Sequence, residues 1–124
     1  MAQRDFIVHE HGEQLDRKLT FPASGGKVGD PCMVGRRPGY LLTDQDATTG
    51  RGTVKFVGSV RVNAHGYDAS ANNAIAAGDD LYYDNSPGAS NPNINKDATN
   101  GKFFGVAAEA LASGAKGAII VDFV

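Results

Sequence analysis

Three short segments from the first half of this chain return, in the same order, in the second. Val28-Gly29-Asp30 recurs as Ala77-Gly78-Asp79, Asp46-Ala47-Thr48-Thr49-Gly50 as Asp97-Ala98-Thr99-Asn100-Gly101, and Phe56-Val57-Gly58 as Phe103-Phe104-Gly105. An ordered set of matches at nearly constant separation points to an internal repeat. The residues that repeat are turn residues. Glycine accepts a positive φ without steric cost, and an aspartate carboxylate can take a nearby backbone N–H. Each half therefore reads as turn, strand, loop, strand, with Gly29, Asp30, Gly78, Asp79 and Gly105 as structural turn positions. Two such half-units in 124 residues predict an all-β chain, a small barrel or sandwich. Closure into a barrel would also remove exposed sheet edges.

Composition agrees with that reading. Sixteen Gly and five Pro in a chain that is 41% hydrophobic imply many short elements joined by many turns. The length suits one core that needs no staples. The formal charge of −2, with no basic block, gives nucleic acid no electrostatic footing. No apolar run is long enough to span a membrane and the first residues lack a signal-peptide core, so the expectation is a soluble protein made in the cytoplasm. The lone Cys32 leaves no internal disulfide to form.

The last stretch, Lys102 to Val124, carries two apolar runs, Phe103–Ala108 and Ala118–Val124. Their β-branched and aromatic residues predict two paired strands, with Gly105 marking a bulge or a close backbone approach. Upstream, residues 1–14 read as an extended N-terminal arm holding the apolar run Phe6-Ile7-Val8, with an edge strand of the same domain as the equal alternative for that run, and 15–124 as one β domain. Leu15–Phe21 alternates as a strand, with a helix over Glu13–Leu19 as the weaker alternative. Pro31–Val34 is a short strand, Arg36–Gly39 a turn, and Thr53–Asn63 the longest strand, with Val54, Phe56, Gly58, Val60 and Val62 on one face. Ala69–Ala77 is a helical turn or a loop, Asp80–Asp84 a strand, and Asn85–Asn100 a long exposed loop. Phe56, Val60, Phe104, Val106, Ile120 and Phe123 are the expected core.

Groups with chemical potential are sparse. His9 and His11, with Glu10 or Glu13, could touch a metal from one strand face, but a full ligand set is not evident. His65 stands at a strand-ending turn, and Cys32 sits in a short strand where core packing explains it better than nucleophilic chemistry. Gly25-Gly26-Lys27-Val28-Gly29 lacks the ending and following helix of a phosphate loop. Asp79, Asp80 and Asp84 lack the spacing of a calcium loop. Tyr82 and Tyr83 must face opposite ways, so one packs and the other meets water or a neighbour. The residues thus predict no enzyme, no metal and no cofactor.

The order Leu15…Leu19-Thr20-Phe21-Pro22-Ala23, Val28-Gly29-Asp30, Ala76-Ala77-Gly78-Asp79-Asp80-Leu81-Tyr82-Tyr83-Asp84, Phe104-Gly105-Val106-Ala107 and Ala118–Val124 resembles the small capsid cement, or decoration, proteins of tailed bacteriophages. The resemblance covers nearly the whole chain and is clearest from Ile75 onward. It implies a protein of the virion that binds the outer surface of the head and stabilises it against internal DNA pressure. The implied partners are the major capsid protein and neighbouring copies of the same chain, a trimer among the forms open to them. Phe6, Ile7, Val8, Tyr83 and Asn93 are the candidate contacts with capsid or neighbour. Two other classes stay open on the residues alone. One is a virion or ligand-binding module of the tail, neck or a carbohydrate adhesin, presenting the loops 44–52 and 85–100. The other is a small enzyme built on a histidine with Asp or Cys32.

Overall fold

The computed structural model describes residues 14–19, 26–84 and 92–124. Among these are nine strands and no helix: β1 (Gln14–Lys18), β2 (Pro31–Val34), β3 (Arg37–Leu41), β4 (Arg51–Lys55), β5 (Ser59–His65), β6 (Asp80–Tyr83), β7 (Ile94–Asn95), β8 (Lys102–Ala107) and β9 (Lys116–Asp122). They form a four-stranded sheet in the order β1-β4-β3-β2 and a closed barrel in the order β5-β7-β6-β8-β9. The arm lies outside the described residues, and β1 starts at Gln14, the last residue assigned to it.

The chain passes from sheet to barrel at Phe56-Val57-Gly58. The long strand expected over Thr53–Asn63 is two strands in two different bodies. Its alternation survives the break: Val54, Phe56 and Val62 are buried while Val57, Ser59 and Arg61 are exposed. Parity therefore carries no sign of the interruption. Gly58 does, because its φ of 86° lies outside the extended region and re-aims the chain. The barrel is also not shared between the two half-units. It is closed entirely by β5 to β9, while the first unit stays an open sheet.

Two other local expectations shift. The β2–β3 turn is Gly35-Arg36, with Gly35 at φ 62°, whereas Arg37, Pro38 and Gly39 belong to β3. Proline is tolerated there because Pro38 faces Met33 in a non-hydrogen-bonded pair of the β2–β3 ladder, and β3 pairs with β4 only at Tyr40 and Leu41, so the N–H that Pro38 lacks has no ladder bond to make on either side. The long loop after β6 contains β7. Its two residues pair antiparallel with β6 and, at Ala64↔Ile94, parallel with β5. That short contact closes the barrel.

The barrel interior is filled by side chains such as Val62, Leu81, Tyr83, Ile94, Phe104 and Val121, all at most 3% exposed, with Met33 reaching in from the sheet. A second cluster of Leu19, Cys32, Leu41, Val54 and Phe56 packs on the small sheet. Val60 and Phe123 pack against the barrel core from its margin. Val106 and Ile120 are only half-buried, and Ala107, Ile119 and Val121 take the interior places instead. The cause on β8 is a bulge. Leu81 faces Gly105 and Tyr82 faces Phe103, so Phe104 is an extra residue opposite no partner and the in–out alternation slips past it. Gly105, where the sequence asks for a bulge or close approach, pairs with Leu81 beside the bulge and makes the close approach. A Cβ there would stand 2.6 Å from the Asp122 carbonyl oxygen and 2.7 Å from Val121 Cγ1.

Candidate functional site

The repeated turns are the most regular local structures. Lys27 N donates to Asp30 Oδ2 at 2.9 Å while Asp30 N donates to the Lys27 carbonyl at 2.9 Å. In the second unit Ala76 N donates to Asp79 Oδ2 at 2.8 Å and Asp79 N to the Ala76 carbonyl at 3.0 Å. Gly29 (φ 89°) and Gly78 (φ 96°) then donate to Leu41 O at 2.8 Å and Ala107 O at 2.7 Å. The second motif repeats as closely. Asp46 Oδ1 accepts from Thr48 N and Thr49 N, and Asp97 Oδ1 accepts from Thr99 N and Asn100 N, at 2.7–3.1 Å. The third match is not equivalent, since Gly58 is a left-handed turn residue and Gly105 lies within a strand.

These bonds set the acidity of the turn carboxylates. The Ala76 N–H, with Lys96 beside it, holds Asp79 below the usual carboxylate range. Burial works against ionising Asp97, but the Asn100 side chain and backbone, Asp84 and the Thr99 N–H outweigh it and lower its pKa. Asp97 lies in a buried polar knot with Asp84 and Asn95, each at most 1% exposed. Asn95 Nδ2 donates to Asp84 Oδ2 at 3.2 Å and Asp97 N donates to Asn95 Oδ1 at 2.8 Å. The knot anchors β7 between β6 and the turn before β8. A third carboxylate turn, at Asp68, collects Ser70 N, Ala71 N and Asn73 Nδ2.

The groups considered for chemistry do not converge. Cys32 is fully buried, and burial, with Asp30 nearby, pushes its thiol up to about 12. His65 stacks on Tyr67 with ring centroids 5.2 Å apart. Burial first, then Lys116 opposite it in the ladder, favours the neutral imidazole. Among the described residues no three His, Cys, Asp or Glu side chains come together as a metal site. His9, Glu10, His11 and Glu13 lie outside the described residues.

The candidate contact residues are dispersed. Phe6, Ile7 and Val8 are outside the described residues. Tyr83 is 2% exposed, with its hydroxyl receiving Asn93 Nδ2 at 3.1 Å, and Asn93 is half-buried. The outward member of the tyrosine doublet is Tyr82. It meets the exposed Phe103 edge to face across β6 and β8, centroids 6.0 Å apart. The sequence held a signal for this pair, Tyr-Tyr on one strand and Phe-Phe on the next, because one ring of each doublet must face out. Among the described residues Val28, Val57 and Val124 are the other well-exposed large apolar side chains.

Residues 11–123 match the phage cement protein family, a span that takes in the sheet and the barrel together. No curated protein and no solved structure matches the chain. The chain belongs to the phage cement protein family, and its role is that of a capsid cement component of the virion.

Proposed function

We propose that this cement protein sits on the outer surface of the head, binds the major capsid protein and neighbouring copies of itself, and holds capsomers together against the pressure of packaged DNA. The observation that carries the reading is the family match across residues 11–123. The work is adhesive rather than catalytic. Copies that bridge capsomers are retained by several weak contacts that must break together, so no single contact has to be tight.

In this reading the residues before β1 form an arm that reaches a neighbour, with Phe6, Ile7 and Val8 adding a strand to an exposed sheet edge and filling its pockets. Asn93 is a contact at the barrel rim, held in place by the Tyr83 hydroxyl. Synthesis is in the host cytoplasm and neither nucleic acid nor membrane is a partner.

The test is sedimentation of purified protein with heads that lack it, followed by heating and chelator treatment of decorated and bare heads. Decorated heads survive longer; equal survival overturns the reading. Deleting residues 2–11 tests the arm. The shortened chain keeps its melting temperature and loses binding to heads or to itself. If it unfolds, or binds as well as the full chain, the arm plays no such part.

A further inference from the structure

Asn100-Gly101 is the one Asn-Gly step in the sequence. Such steps lose ammonia readily. The Gly nitrogen gives up its proton and attacks the Asn side-chain carbonyl carbon, a C–N bond forms as the bond to Nδ2 breaks, and ammonia leaves a five-membered succinimide. Water then opens the ring to aspartate or isoaspartate. The reaction needs the backbone nitrogen free and the side chain able to swing over it.

We propose that Asp97 keeps this step chemically intact by holding both reacting groups. Its Oδ2 receives Asn100 Nδ2 at 2.8 Å, its Oδ1 receives Asn100 N at 3.0 Å, and its backbone carbonyl receives Gly101 N at 3.0 Å. The nitrogen that would attack is thus turned toward one oxygen of Asp97, and the amide it would attack is tied to another. The carboxylate also disfavours a developing negative charge on the neighbouring backbone nitrogen. The turn has little room to open, since the face of Gly101 lies where a Cβ would be 2.7 Å from Tyr82 Cβ, and Asp97 itself is 1% exposed. The matching turn of the first unit carries Thr49-Gly50 and has no amide to lose.

The reaction would do local damage. Either product places a new carboxylate against Asp97, and isoaspartate adds a backbone atom immediately before β8, whose Phe104 fills the barrel. A particle that persists outside a cell cannot replace damaged copies, so a guarded step matters more here than in a protein renewed by synthesis.

The experiment is timed incubation of the full chain, folded and in urea, at one pH and temperature, with peptide mass spectrometry of the segment containing Asn100. The folded chain deamidates at least about tenfold more slowly, the factor that a local opening free energy of about 1.4 kcal/mol provides. Equal rates overturn the proposal. Asp97→Asn, checked for folding by circular dichroism, accelerates the reaction toward the unfolded rate. A folded Asp97→Asn chain that deamidates as slowly as the parent removes Asp97 from the account. Should that variant not fold, hydrogen exchange at Gly101 N in the parent decides: slow exchange with slow deamidation supports the guard, and fast exchange overturns it.

Discussion

Phe123 stacks parallel to and offset from Tyr40, ring centroids 5.9 Å apart and planes 8° from parallel, and the same ring meets Phe104 edge-on at 5.2 Å. One aromatic side chain thus touches the small sheet and the barrel interior at once. Phe123→Ala is expected to cost about 3 kcal/mol, the low end for a lost core aromatic because the ring is half-buried, and Tyr40→Ala less. A double-mutant cycle by urea unfolding should return a coupling of about 0.5–1.5 kcal/mol. A coupling near zero would mean that the sheet and barrel do not hold each other through this stack.

The glycines separate conformational strain from steric strain. Gly29 and Gly78 have positive φ and open space around a would-be Cβ, so alanine at either is expected to cost about 1 kcal/mol through backbone strain alone. Gly105→Ala drives a methyl into the Asp122 carbonyl and Val121, and should cost up to about 3 kcal/mol. Melting temperatures in the order Gly105→Ala lowest, the other two close together, are the outcome sought. The reverse order would place the strain in the turns.

Acid should weaken the fold through its turns. Asp46, Asp68, Asp79 and Asp97 all have lowered pKa values, so the folded chain binds fewer protons than the unfolded one. Their stabilisation is complete above the unfolded value of about 3.9 and is lost as pH falls through the lower folded values. His65, lowered by burial and Lys116, adds an earlier loss beginning below its unfolded value of about 6.5. Asp79→Asn should flatten the acid limb of a stability–pH curve measured by urea unfolding, and an unchanged limb would count against this assignment.

The thiol provides a reporter of opening. Cys32 has no exposed surface and its thiol is pushed up to about 12, so alkylation at neutral pH should proceed only through unfolding. Labelling should speed up with urea in step with loss of structure. Rapid labelling of the native protein would show that the small sheet opens by itself.

The turns were legible because Gly-Asp and Asp-x-Thr patterns act locally. A carboxylate meets an N–H two or three residues away whatever the rest of the chain does. Most strands were legible for the same reason, through alternation. The break at Gly58 was not, because Val54, Phe56 and Val62 keep one parity across it while the chain changes partner. β7 carries no signal of its own in the sequence because Ile94 stands alone among Asn, Pro and Lys and becomes a strand only through its neighbours. The in-or-out assignments of Tyr83 and Val106 turn on neighbours as well. An aromatic doublet says that one ring faces outward, but the bulge at Phe104 decides the facing on β8. Family membership was carried by the whole order of motifs rather than by any side chain of the candidate site.

The β5–β9 ladder has a kinetic consequence. Ser59 and Asp122 hydrogen-bond through their side chains across a separation of 63 residues, and they open the longest ladder of the barrel. No local hairpin can nucleate that seam. A newly made chain must wait for β9 before β5 finds its principal partner, and the entropy of closing so long a loop is met before contacts repay it. Folding is therefore expected in the slow range of milliseconds to seconds typical of non-local β topologies. During that interval β5 offers an unpaired edge to other chains, so the period when this adhesive protein is most prone to stick in the wrong place is before its barrel closes.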